Sequence, residues 1–186
     1  MITNNLFTFN SSSEVEVSND LSNSVLTFIE DGTYKSAALI VDEVVQNSEI
    51  LVQLKKSLSD KKVLTKFSSI KVSEPTTYMV DDLGNEFSDS KLDLLIGVGG
   101  GSLLDLVKAL SVFLKTGTSI VKKHADGVKI YEAIDKVLIP TTAGTGSEVT
   151  PGAVLVNPET NFKRALGGPA VSAKRAILSR INTKLT

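Results

Sequence analysis

The sequence predicts an α/β fold built on a parallel β-sheet with helices on both faces. Three observations carry that prediction. Short apolar runs recur along the chain, and they are apolar at every position rather than at alternate ones. Amphipathic stretches at helical spacing separate them. The runs also end in turn-forming residues. Strands apolar on both faces belong to sheets covered on both sides, and the intervening helices supply the crossovers such sheets need.

Taken in order, "EVEVS" (Glu14–Ser18) alternates as a strand does. "DLSNSVLTFIEDG" follows as a helix, with Asn19 or Asp20 near its start and Gly32 closing it. "SAALIVD" (Ser36–Asp42) is a continuous apolar strand, and "SEILVQLKKSL" (Ser48–Leu58) repeats apolar residues at helical spacing. "VLTKFSSIKV" contains a strand, and "TTYMVDDLGNEFSD" reads as a helix after Pro75. "LDLLIGV" (Leu92–Val98) is a strand, "SLLDLVKALSVFLK" (Ser102–Lys115) a helix, and "KVLIP" (Lys136–Pro140) a further strand. The stretch Gly117–Asp135 is polar and reads as a surface excursion. His124 within it reads as a solvated loop residue.

Composition sets the bounds. The 186 residues suffice for one domain with a real core, and 41% hydrophobic with 22% charged residues is ordinary for a globular chain. A net charge of −1 gives no basic excess for nucleic acid or anionic membranes. The N-terminus lacks the charged and apolar regions of a secretory signal, and no apolar run reaches the ~20 residues of a membrane helix. A cytoplasmic protein is expected. With no cysteine and a single histidine, the chain has no disulfides and too few nitrogen or sulfur ligands for a zinc or iron site of the usual kind.

Gly99, Gly100 and Gly101 stand at the carboxyl end of the strand Leu92–Val98, where ligands bind in sheets of this kind. Lacking Cβ atoms, they allow a tight turn and close approach to a ligand. Ser102 is expected to cap the next helix, with Asp105 three residues on as its capping-box partner. The helix start would then offer free amides and partial positive charge to a phosphate. Asp105, Lys108, Ser111 and Lys115 form one narrow polar stripe on an otherwise apolar helix. The stretch matches neither G-x-G-x-x-G, since positions 102 and 104 are Ser and Leu, nor a P-loop. A second constellation, "IPTTAGTGSEVTP" (Ile139–Pro151), also follows an apolar strand. Its hydroxyls and amides suit a second clamp on phosphate or ribose. Asp42 closes the strand "AALIVD", where a carboxylate can accept hydrogen bonds from ribose hydroxyls.

Together "GVGGGSLLDLVKAL" and "IPTTAGTGSEVT" resemble the iron-containing (group III) alcohol dehydrogenase family, which carries GGGSxxDxxKA and PTTxGTGSE at matching separation. "ALIVD" and "EPTTYMVDDL" fit the same pattern. The resemblance covers most of this chain but only the N-terminal half of a family member. It implies a Rossmann-like nucleotide-binding domain, similar to dehydroquinate synthase, over residues 1–186, with the all-helical second domain absent. It implies an oxidoreductase that transfers hydride between NAD or NADP and a small alcohol or aldehyde, acting as a homo-oligomer. Carried over, Gly99, Gly100, Gly101 and Ser102 would hold the cofactor pyrophosphate, and Asp105 would lie near the nicotinamide side of the turn. Thr141, Thr142 and Thr145 would line the opposite wall, with Thr150 further along and Lys163 reaching into the cleft. Asp42 would contact the adenosine ribose and favour NAD by repelling a 2′-phosphate.

Family members continue from this region into an Asp-Pro pair and Leu-Thr, where this chain has Ser179 and Arg180. The family's metal ligands for Fe or Zn, an Asp and three His, lie beyond that point. The chain is therefore expected to be the cofactor-binding half of such an enzyme, inactive alone. A stand-alone nucleotide-binding module, and a sugar-oxidising or synthase-like relative of the same fold, are the alternative readings.

Overall fold

A computed structural model describes residues 12–179. Six parallel strands form one sheet, in the order β1-β8-β5-β4-β2-β3. They are β1 (Glu14–Val17), β2 (Ala37–Asp42), β3 (Leu64–Ile70), β4 (Leu94–Gly99), β5 (Asp135–Pro140) and β8 (Arg175–Leu178). The helices are α1 (Leu21–Gly32), α2 (Glu49–Asp60), α3 (Thr77–Phe87), α4 (Gly101–Thr116) and α5 (Ile120–Asp126). None of the described helices is long and apolar enough to cross a membrane.

The continuous apolar runs become central strands because both their faces are covered. In β2, Ala37, Leu39 and Val41 pack into one core with Val25 of α1 and Leu54 of α2. Ala38 and Ile40 point the other way, into a core with Val80 and Phe87 of α3 and Leu103 and Leu110 of α4. The strand period of two divides each strand between the layers. Helix starts follow the expected chemistry: Asp20, Ser48 and Thr76 accept from the backbone N–H of Asn23, Leu51 and Met79. At the end of α1 the left-handed residue is Thr33, one past the expected Gly32.

Three segments depart from expectation. The hairpin β6 (Gly152–Asn157) and β7 (Phe162–Gly167) pairs antiparallel around the turn at Pro158–Asn161 and lays Ala153, Leu155 and Leu166 on the α4 face. The segment Arg175–Leu178 completes the sheet, bridging β1 and β5. The stretch after Gly117 is no mere surface excursion, since α5 buries Ile120 and His124 against the hairpin. His124 is 1% exposed, not solvated. Its Nε2 lies 3.0 Å from the Leu155 carbonyl and 3.1 Å from that of Arg164, so this nitrogen carries the proton. Arg180 lies outside the described residues.

Candidate functional site

The parallel strands deliver the two small-residue loops to one edge of the sheet. β4 and β5 are hydrogen-bonded neighbours, with Gly99 opposite Pro140. The ladder runs one step further, as Thr141 N–H donates to the Gly99 carbonyl at 3.0 Å. The glycine turn and the threonine loop therefore leave the sheet side by side.

The glycines fit this junction for steric reasons. A Cβ on Gly99 would stand 2.6 Å from Leu103 Cδ2 and 3.1 Å from Asp42 Cβ, so a side chain here would force Leu103 to shift. A Cβ on Gly101 would stand 3.1 Å from Thr145 Cβ and Cγ2. Gly100 differs: a Cβ there would meet Thr142 Oγ1 at 3.5 Å and Cγ2 at 3.6 Å, which is ordinary contact. Gly100 is the N-cap of α4, and no side chain caps the helix. Its first amides are left for something else. Across the gap the hydroxyl of Thr142 is buried without a hydrogen-bond partner. A groove of about 350 Å³ opens beside it, lined by Val17, Pro140, Thr142, Gly144, Glu148 and Leu178 among others. Two other clefts, of about 320 and 600 Å³, lie around Asp135 and Lys115 at the amino ends of the strands, away from this turn.

The expected capping box is absent. Ser102 lies inside α4, and its hydroxyl donates to the Ser73 carbonyl at 3.0 Å, tying the helix to the β3–α3 connection. Asp105 faces the threonine loop instead. Its Oδ2 accepts from Val154 N–H at 2.9 Å, and its Oδ1 meets Lys108 Nζ at 2.8 Å and the Ser147 hydroxyl. Lys108 has no exposed surface, and Ser111, also buried, donates to the Lys108 carbonyl. The polar stripe of α4 is thus a buried network over most of its length.

The remaining candidates divide. Asp42 stands beside Gly99 and accepts from Val44 N–H at 3.1 Å, a local turn that leaves carboxylate oxygen available. Thr141, Thr142 and Thr145 gather with the glycines. Thr150 belongs to the Lys108 network, at 3.4 Å from its Nζ. Lys163 is on β7 and pairs with Glu74 at 2.8 Å, with both side chains more than half exposed. The sequence reading missed Glu148, whose Oε2 is buried without a partner at this site. A carboxylate inside so small-residued a loop was the available signal. Among the described residues, no three His, Cys, Asp or Glu side chains are grouped to hold a metal ion.

The chain matches the family model described as iron-containing alcohol dehydrogenase over residues 13–180. It is 32% identical to 1-propanol dehydrogenase from Citrobacter freundii over 146 residues, which are 78% of this chain and 36% of that protein. Over 107 residues it is 38% identical to choline dehydrogenase from Bacillus subtilis, 56% of this chain and 27% of that one. The fold superposes on sulfoacetaldehyde reductase from Bifidobacterium kashiwanohense, solved in complex with NAD+, with TM-score 0.86 at 21% identity. That match covers 96% of this chain and 47% of the reductase. An iron-containing alcohol dehydrogenase from Thermotoga maritima gives TM-score 0.79 at 27% identity, covering 96% and 49%. The chain spans less than half the length of these relatives.

Proposed function

This chain belongs to the iron-containing alcohol dehydrogenase family, and on that premise we propose that it is the part of an NAD(P)-dependent alcohol or aldehyde oxidoreductase that holds the nicotinamide cofactor. The observation that carries the proposal is the gap between Gly100 and Thr142. It pairs an uncapped helix start with a buried, unpartnered hydroxyl, and a single added methyl would enter it. Both groups suit a phosphate: the amides donate to its oxygens, the helix start favours its charge, and the threonine hydroxyl can donate to it.

In this reading Gly99, Gly100 and Gly101 admit the pyrophosphate, with Ser102 fixing the helix that receives it. Thr141, Thr142 and Thr145 close the opposite side. Asp42 accepts from the adenosine ribose and disfavours a 2′-phosphate there. Asp105 and Thr150 shape the threonine loop from within, and Lys163 flanks the hairpin beside Glu74. A nicotinamide cofactor so held would supply the acceptor or donor of a hydride. The named side chains would bind and orient it. The described residues do not fit a metal ion, so no step is assigned to one here. The chain alone is proposed to bind cofactor without turning over alcohols, because the groups that would hold and polarise a substrate are not among the described residues. Small alcohols or aldehydes are the proposed substrates of the whole enzyme, and a homo-oligomer its proposed state.

Titration calorimetry of NADH into the purified chain tests this reading. Saturable binding to one site per chain is expected, and absence of binding would refute it.

A further inference from the structure

The threonine loop has little regular structure to hold its shape. Gly144 and Gly146 have φ of 91° and 65°, and few backbone hydrogen bonds cross it. Beyond the Thr141 N–H bond to the Gly99 carbonyl at its start, its ties to α4 centre on a buried pair, Lys108 and Asp105. Lys108 Nζ donates to the Ser147 carbonyl at 2.8 Å, to the Gly152 carbonyl and to Thr150 Oγ1, and meets Asp105 Oδ1 at 2.8 Å. Asp105 in turn takes the Ser147 hydroxyl and Val154 N–H. Apart from the bond between Lys108 and Asp105 themselves, these contacts end on residues 147–154, so the node ties α4 to that segment.

A buried ammonium is stable only with its donors used and a counter-charge close by. Burial lowers the Lys108 pKa, while Asp105 and then Glu148 pull it back up. Anchoring the helix to the core needs no such cation, since Leu103, Leu104, Val107 and Leu110 already do that. What the cation adds is a tether between two segments. The same helix begins at Gly101, whose Cα faces Thr145 of that loop. Lys108, two turns further along, lies on the order of 10 Å down the axis from this contact.

We infer that Lys108 is a positioning residue: it holds the threonine loop against α4 and so sets the width of the gap between the glycine turn and Thr142. The inference rests on the cofactor reading above, and it concerns a residue that would touch no cofactor atom. A loop released from the node would spend only part of its time at the binding width, and the apparent affinity falls by that fraction.

The test compares the wild-type chain with Lys108→Met and with the double variant Asp105→Asn/Lys108→Met, which removes both charges of the pair. Lys136→Met, which removes a buried lysine at the opposite end of the sheet, controls for general destabilisation. Amide hydrogen exchange without cofactor reads the loop at residues 141–151, and calorimetry reads NADH binding. In both Lys108 variants loop exchange should quicken and NADH affinity should fall about tenfold, as for a loop competent about a tenth of the time. Exchange in β2 and β4 should stay as in the wild type, and Lys136→Met should change neither loop exchange nor affinity. Unchanged loop exchange, a freed loop with undiminished affinity, or the same effects from Lys136→Met would each overturn the inference. Failure of both Lys108 variants to fold would overturn it too, by assigning the lysine to the core. A wild-type chain that binds no NADH overturns the cofactor reading and this role with it; a wild type that binds, beside variants that bind equally well, overturns this role alone.

Discussion

Alanine at position 100 separates folding from binding, because the structure sets the two effects apart. The new Cβ would lie 3.5 Å from Thr142 Oγ1 and 3.6 Å from Cγ2, so no neighbour need move. The backbone there, at φ −73° and ψ 172°, is open to alanine. Two small terms then oppose each other. Losing glycine at an N-cap costs about 0.5–1 kcal/mol. Reducing the freedom of the unfolded chain returns about 0.4–1 kcal/mol. The melting temperature should therefore move by no more than about 4 °C, since 1 kcal/mol corresponds to about 2–4 °C in a domain of this size. Binding should respond differently. The methyl enters the gap between the helix start and Thr142, and a charge-assisted hydrogen bond to phosphate is worth about 1.5–3 kcal/mol. One such bond lost weakens NADH about ten- to a hundredfold. Thermal melts and NADH calorimetry on Gly100→Ala and wild type decide it. A variant that melts as the wild type does and binds NADH equally well would refute the placement of the phosphates. A collapse in melting temperature would refute the packing argument. Gly101→Val is the contrasting case, since its Cβ already presses on Thr145 at 3.1 Å and stability should fall together with binding.

Two further outcomes are expected. NAD+ should bind at least about tenfold more tightly than NADP+, because like charges set together cost several kcal/mol and about 1.4 kcal/mol is already tenfold, and Asp42→Asn should narrow that gap; parallel titrations giving equal affinities would show that Asp42 does not face the ribose. Burial lowers the Lys136 pKa from 10.5 to about 8, although its ammonium donates to the Ile134, Ala170 and Ser172 carbonyls. The folded state therefore binds fewer protons than the unfolded one between about pH 8 and 10.5, and stability rises with pH across that window. Relative to Lys136→Met, the wild type should gain roughly 3 kcal/mol between pH 7.5 and 10.5 in urea unfolding; a difference that stays flat with pH would refute this.

The parts of this fold that the sequence made readable are those where one residue type has one physical use. An apolar run such as "AALIVD" has no exposed face to spare, so it sits inside a covered sheet. Three consecutive glycines at its neighbour's end mark a place of close approach, and the Gly99 contacts with Leu103 and Asp42 show it at the first of them. Readings failed where one residue type has two uses. A serine before "LLDLV" can cap a helix or ride inside it, and Gly100, free of a side chain, took the cap. The sequence showed Lys108 only as part of a polar stripe and gave it no partner, because a buried lysine needs acceptors that only the folded loop supplies. His124 misled in the same way, its acceptors being carbonyls of the β6–β7 hairpin. That hairpin was within reach, since "GAVLVNPETNFKRAL" sets two strand-like runs around a turn. Lys108 and His124 share a cause. Each is a polar side chain buried against backbone carbonyls distant in sequence, and periodicity records which face of a helix is apolar but not which polar residue will find a partner. Residues of that kind join one segment to another, so the junctions on which the candidate site depends are the part of it that a sequence shows last.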